Sequence, residues 1–166
     1  MNWEQFVETY YRSIFNYCQQ YLANYAEAQD VTQDVFLKCY QKRDSLRDAA
    51  AERSWVYSVA RNACADKRRW YKRFATMLTG LEVEGSDLPG TGLSLTLRKL
   101  ILDLPTRQRE IFILRHFHDF STADVAALMG ITPGTVKTQL KRAVDKLKLQ
   151  LQEPTQVPSK ASYRES

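Results

Sequence analysis

An all-α fold of two small helical domains joined by a flexible linker is predicted by three observations. Apolar residues recur every three or four positions through most of the chain, no stretch alternates with the period of two that a strand requires, and one central stretch gathers glycine and acid while losing every basic residue. The chain has 166 residues, 44% hydrophobic and 26% charged. That balance belongs to a chain that buries a core, and the length suits one globular domain or two small helical ones, which excludes large multidomain machinery.

Trp3, Phe6, Val7, Tyr10, Ile14, Tyr17, Cys18 and Tyr21 fall on one face of a first helix. A second amphipathic stretch covers about 26–43. A third, about 52–73, carries Trp55, Val56, Val59, Ala63 and Trp70 on one side and would be about 33 Å long at 1.5 Å per residue. Residues 75–92 then hold four Gly, one Pro and the acids Glu82, Glu84 and Asp87, with no Lys or Arg, as a linker does. Leu93, Leu97, Leu100 and Ile101 resume the helical period, and Leu104-Pro105 marks a break, with Pro105 expected at the first position of a helix reaching about Phe117. Residues 152–166, with Pro154 and Pro158 among Gln, Ser and Thr, read as a disordered tail. The expected domains are therefore 1–74 and 93–151.

Within the second domain, Ser121 can cap a helix that ends at Gly130, where glycine supplies a left-handed turn. Ile131 returns to the core, and Thr132-Pro133 is an N-cap and first-turn pair for another helix. A short helix, a glycine turn and a second helix make a helix-turn-helix, which gives this domain four helices. On the last helix Val136, Leu140, Ala143, Val144, Leu147 and Leu151 point inward. Thr135, Lys137, Thr138, Gln139, Lys141 and Arg142 lie outside or on the flanks, with side chains able to meet base edges and phosphates in a major groove.

The third helix of the first domain carries a second nucleic-acid candidate. Residues 61–73 hold Arg61, Lys67, Arg68, Arg69, Lys72 and Arg73 against Asp66, 6 minus 1, a local +5 equal to the net charge of the whole chain. Tyr57, Arg61, Arg68 and Lys72 share one helical face, suited to clamping phosphates and offering a ring to an unstacked base. A solvated basic helix with core tryptophans has the same pattern. On the second helix Asp30, Gln33 and Asp34 stand beside Phe36 and Leu37, a mixture that suits either a protein contact surface or an ordinary bundle helix.

Cys18, Cys39 and Cys64 lie 21 and 25 positions apart without a CxxC pair. A structural zinc site is not expected; reduced buried thiols in a cytoplasmic protein are. No basic N-terminal region leads into an apolar run and no 18 consecutive residues are apolar, so neither a standard secretion signal nor a membrane span is expected.

These residues resemble the bacterial extracytoplasmic-function sigma factors, the small two-domain initiation factors of RNA polymerase, from about Phe6 to Leu151. Ala28-Gln-Asp-Val-Thr-Gln-Asp-Val-Phe-Leu37 is similar to the family's core-polymerase-binding helix. Trp55-Val-Tyr-Ser-Val-Ala-Arg-Asn-Ala63, with Asp66 and Arg69, resembles its −10-recognition helix. Leu104-Pro-Thr-Arg-Gln-Arg-Glu-Ile-Phe112 resembles the start of its −35-binding domain, and Gly134-Thr-Val-Lys-Thr-Gln-Leu-Lys-Arg-Ala143 its recognition helix. Thr122 stands where the family often has an aromatic residue, and Thr138-Gln139 where it often has Ser-Arg, which bears on the −35 sequence that is read.

The resemblance implies a promoter-specificity factor that performs no covalent chemistry and carries no cofactor. Asp30, Gln33, Asp34, Phe36 and Leu37 would dock on the polymerase core. Trp55, Tyr57, Arg61, Asn62, Asp66, Arg68, Arg69 and Lys72, with the preceding loop 47–54, would engage the −10 element and hold a flipped base. Thr135, Lys137, Thr138, Gln139, Lys141 and Arg142 would read the −35 element, and the linker would lie along the polymerase towards its active-site channel. Implied partners are the bacterial RNA polymerase core and promoter DNA, and such factors are often held by an anti-sigma protein. Two rival readings use the same residues: a stand-alone helix-turn-helix regulator, and a recombinase or nuclease. The latter needs a nucleophilic Ser or Tyr beside Arg residues, or carboxylates clustered for a metal, and Asp30 and Asp34, one turn apart, suit a contact face better.

Overall fold

The structure, a computed structural model, describes residues 1–77 and 95–152. The first unit comprises α1 (Trp3–Leu22), α2 (Tyr25–Gln41) and α3 (Glu52–Met77), with 3-10 turns at Arg43–Ser45 and Ala49–Ala51. The second comprises α4 (Leu95–Leu102), α5 (Thr106–Phe117), α6 (Thr122–Met129) and α7 (Pro133–Gln152). No strand occurs among the described residues. The predicted all-α class with its helix-turn-helix is the fold observed. No described helix is long and apolar enough to cross a membrane.

Local chemistry sets the helix ends. The Asn2 side chain accepts the Gln5 N–H at 3.3 Å and Asn24 accepts the Glu27 N–H at 3.0 Å, so α1 and α2 each start on an asparagine cap. Between them Ala23 takes the left-handed conformation, φ 52°, and closes α1 by donating to the Gln19 carbonyl. Ile14, Tyr17, Cys18, Val31, Val35, Cys39, Val56, Ala60 and Cys64 fill the space between the three helices. All three cysteines are buried free thiols, with Cys18 and Cys64 Sγ 3.6 Å apart.

In the second unit the decisive side chain is Arg109, only 1% exposed. Its Nε donates to the Ile101 carbonyl at 3.1 Å, and its Nη2 to the carbonyls of Leu104, at 3.0 Å, and Leu102. A buried cation is tolerable when it satisfies the orphan carbonyls of a helix end, and here it welds the end of α4 to α5.

Several expected boundaries move. Pro105 is the N-cap of α5 rather than its first helical residue, because its ψ is extended while its carbonyl already accepts the Arg109 N–H. The expected loop 47–54 is shortened: Ala49–Ala51 is a 3-10 turn and Glu52 begins α3. α3 continues through Met77, into the expected linker, and α7 through Gln152. The rest of the expected linker and tail lies outside the described residues. Leu151, expected to point inward, is 54% exposed because the last buried residue of α7 is Leu147. Trp70 is likewise 55% exposed, since α3 runs well beyond Cys64, its last residue seen to be buried.

The two units pack on each other, α4 and α5 against α1, and α6 against α3.

Candidate nucleic-acid interface

The helix-turn-helix is assembled by three local devices. Ser121 Oγ accepts the Asp124 N–H at 3.0 Å and caps α6. Gly130 ends that helix at φ 66°, where an L side chain is strained. Thr132 Oγ1 then accepts the Thr135 N–H at 3.1 Å and starts α7. The core of the last helix forms around Val136, Ala143 and Leu147, with Leu140 and Val144 half-buried.

Within the expected base-reading set, Lys137, Thr138, Lys141 and Arg142 are exposed, and Thr135 and Gln139 half-exposed. Two hydroxyls have local partners: Thr135 Oγ1 lies 2.9 Å from Thr132 Oγ1, and Thr138 Oγ1 donates to the Gly134 carbonyl at 3.0 Å. Lys137, Lys141 and Arg142 are thus the exposed cations of this set.

The face of α3 is more divided. Asn62, Asp66, Arg69 and Lys72 are exposed and Arg68 is half-buried; Asp66 and Arg69 pair at 3.8 Å in solvent. Trp55 is half-buried against Phe6, with ring centroids 6.0 Å apart. Tyr57 and Arg61 are turned towards the second unit. Tyr57 is 3% exposed, its ring edge-on to Phe120 at 4.8 Å and its hydroxyl 2.8 Å from His118 Nδ1. Arg61 Nε meets Glu110 Oε2 at 3.1 Å, and the Tyr21 hydroxyl donates to the other carboxylate oxygen at 3.3 Å.

His118 is the centre of this joint. Its Nε2 lies 2.7 Å from Gln20 Oε1, its carbonyl accepts from Arg53, and the Arg53 guanidinium sits 4.0 Å from the Phe120 ring centroid. A neutral imidazole satisfies both ring contacts at once: Nε2–H donates to Gln20, and Nδ1 accepts the Tyr57 hydroxyl. Burial, reinforced by the charge of Arg53, lowers the His118 pKa to about 4, and burial pushes Tyr57 up to about 12. Sequence reasoning missed Glu110, His118 and Phe120 as partners of α3, because no local periodicity reports a contact across 49 or 61 positions.

On α2, Asp30, Gln33, Asp34 and Leu37 are exposed, Leu37 by 57%. Phe36 is not. It is 7% exposed, packed among Trp3, Phe6 and Tyr11. Tyr40, 44% exposed, continues the surface with Arg43 over its ring at 4.0 Å.

Comparison with known proteins gives matches to both units. Residues 6–74 match the family described as sigma-70 region 2, and residues 94–147 that described as sigma-70, region 4. The chain is 28% identical over 165 residues to the ECF RNA polymerase sigma factor SigW of Bacillus subtilis, across 89% of this chain and 87% of that protein. It is 30% identical over 148 residues to the ECF RNA polymerase sigma factor SigL of Mycobacterium tuberculosis, across 84% of this chain and 83% of SigL. Among solved structures it resembles the sigma factor RpoE of Bartonella quintana in complex with the anti-sigma factor NepR. That match has a TM-score of 0.78 and 26% identity, and covers 89% of this chain and 95% of that one. CnrH in complex with the cytosolic domain of CnrY shares the fold, with a TM-score of 0.68 at 19% identity.

Proposed function

The chain belongs to the ECF RNA polymerase sigma factors, which direct the polymerase to promoters for transcription initiation, and from that premise we propose how its residues divide the work. The observation that carries the assignment is the occurrence of both sigma-70 regions, in order, on one chain whose second unit presents a capped helix-turn-helix. The first domain, expected at 1–74 and extended by α3 to Met77, serves the polymerase core and the −10 element, and the second, expected at 93–151 and extended by α7 to Gln152, serves the −35 element. No step is covalent, and the protein acts in the cytoplasm.

Asp30, Gln33, Asp34 and Leu37 of α2 dock on the polymerase core, and Phe36 holds that surface from beneath through its aromatic contacts. Lys137, Gln139, Lys141 and Arg142 of α7, with Thr135 and Thr138, enter the major groove of the −35 element. Trp55, Tyr57, Arg61, Asn62, Asp66, Arg68, Arg69 and Lys72 of α3 serve the −10 element. Since Tyr57 and Arg61 are occupied by His118, Phe120 and Glu110, their engagement with DNA requires the second unit to leave α3, a change that polymerase binding supplies. An anti-sigma protein, the partner present in the complex of the Bartonella relative, is a third partner class and would act on these same surfaces.

Run-off transcription with core bacterial RNA polymerase across promoter fragments from the source genome tests this reading. Specific transcripts appearing only with the protein present are expected. Tight binding of one duplex by the protein alone, with no transcripts, would make it a stand-alone regulator instead.

A further inference from the structure

Between α3 and the beginning of α5 lies a cleft of about 310 Å³ whose wall is cationic from both sides. Arg61, Arg68, Arg69 and Lys72 come from α3, and Arg107 from α5. Glu110 is the one carboxylate in the lining, and Arg61 neutralises it at 3.1 Å. Five cations less two acids, Glu110 in the lining and Asp66, which pairs with Arg69 at 3.8 Å, leave +3 around a small volume. Two further features point to an anion. Thr106 and Arg107 form the first turn of α5, and the N-cap, Pro105, provides no side-chain acceptor for the amides of that turn, which carry the positive end of the helix dipole. The Arg68 Nε in the wall is buried without a hydrogen-bond partner, a donor for which such a site normally provides an acceptor.

The geometry points to a binding site for a small linear polyphosphate, the triphosphate group of a nucleotide or an inorganic triphosphate. A triphosphate matches the surplus positive charge and offers oxygens to several guanidinium forks at once. The volume lies at the lower end of small-molecule pockets and is too small for a duplex. Neither helix makes the site alone. A bound polyphosphate therefore bridges the units, holds α5 on α3 and competes with promoter DNA for the α3 cations. The inference shares those cations with the promoter reading, whereas Arg107 belongs to the polyphosphate site only.

Arg107 is exposed, so charge reversal there leaves the fold in place. Sodium tripolyphosphate is titrated calorimetrically into the full chain and into the variants Arg107→Glu and Arg107→Gln, with ionic strength held constant by sodium chloride. One saturable site is expected, weakened roughly tenfold or more in Arg107→Glu and less in Arg107→Gln, the loss of a charge-assisted contact. Equal affinity of Arg107→Glu and the unaltered chain overturns the proposal, as does the absence of saturable binding. ATP and GTP in parallel distinguish the source: binding tighter than tripolyphosphate assigns the site to a nucleotide, equal binding to the phosphates alone. Run-off transcription with the unaltered chain separates the two readings. Normal transcripts without polyphosphate binding by the unaltered chain defeat this inference alone; polyphosphate binding without transcripts defeats the promoter reading alone.

Discussion

Arg61 of α3 and Glu110 of α5 stand 3.1 Å apart, Nε to Oε2, with the carboxylate only 5% exposed. A cation expected to meet promoter phosphate is thus already neutralised within the molecule, and the Tyr21 hydroxyl holds the same carboxylate. Glu110→Ala removes the acceptor of both. It is expected to lower unfolding stability by about 1–3 kcal/mol and to raise the affinity of the free protein for a −10 oligonucleotide several-fold. Urea denaturation and fluorescence anisotropy measure the two effects. Wild-type values in both would show that the pair does not restrain α3.

Acidification should loosen the joint through His118. Its folded pKa of about 4 lies below the ordinary value near 6.5, so the unfolded chain binds the extra proton first. The associated stability is complete above about pH 6.5, falls as the pH drops and is gone below about pH 4, a loss of about 3 kcal/mol at most. His116, also lowered by burial, contributes in the same direction. Denaturation midpoints followed from pH 7 to 4 should fall less steeply in His118→Gln than in the unaltered chain; parallel slopes would exclude His118 as the main source.

Gly130→Ala isolates the cost of one backbone conformation. A methyl group there meets nothing within 4 Å, yet φ is 66°. The expected loss is about 1 kcal/mol, with a smaller loss for Gly130→Asn, since asparagine tolerates this region better. A loss of several kcal/mol would mean that the turn carries packing as well as strain.

Lys141→Ala and Arg142→Ala should each weaken −35-dependent transcription, because each removes an exposed cation from the outer side of α7. A base contact is worth about 1–3 kcal/mol, and a phosphate contact reduces the salt dependence by about one charge. Transcription titrated against salt distinguishes the two. Unchanged promoter activity in both variants would reassign the groove-facing side.

Asp34→Lys should reduce affinity for core polymerase while leaving helical content intact, since Asp34 is exposed on α2 beside Leu37. Circular dichroism and a core-binding titration form the pair of measurements. Wild-type affinity would move the docking surface off α2.

Phe36 and Trp70 show where helical periodicity stops being informative. Both are large and apolar and sit in amphipathic helices, yet Phe36 is 7% and Trp70 55% exposed. The period of 3.6 names a face, but whether a neighbour covers it depends on how far each helix runs beside its partners.

The helices, the Ser121 and Thr132 caps, the Gly130 turn and the inward face of α7 up to Leu147 were legible in the residues, because each depends on partners within one or two turns of chain. The match of both regions to sigma factors was legible for the same reason, since its motifs are contiguous. The closed joint was not. His118 meets Tyr57 across 61 positions and Gln20 across 98, and Arg109 is buried because the end of α4 offers it three carbonyls. Such contacts arise from the fit of surfaces brought together by the fold. Only the tertiary arrangement therefore decided that the basic face of α3 is shared between solvent and the second unit.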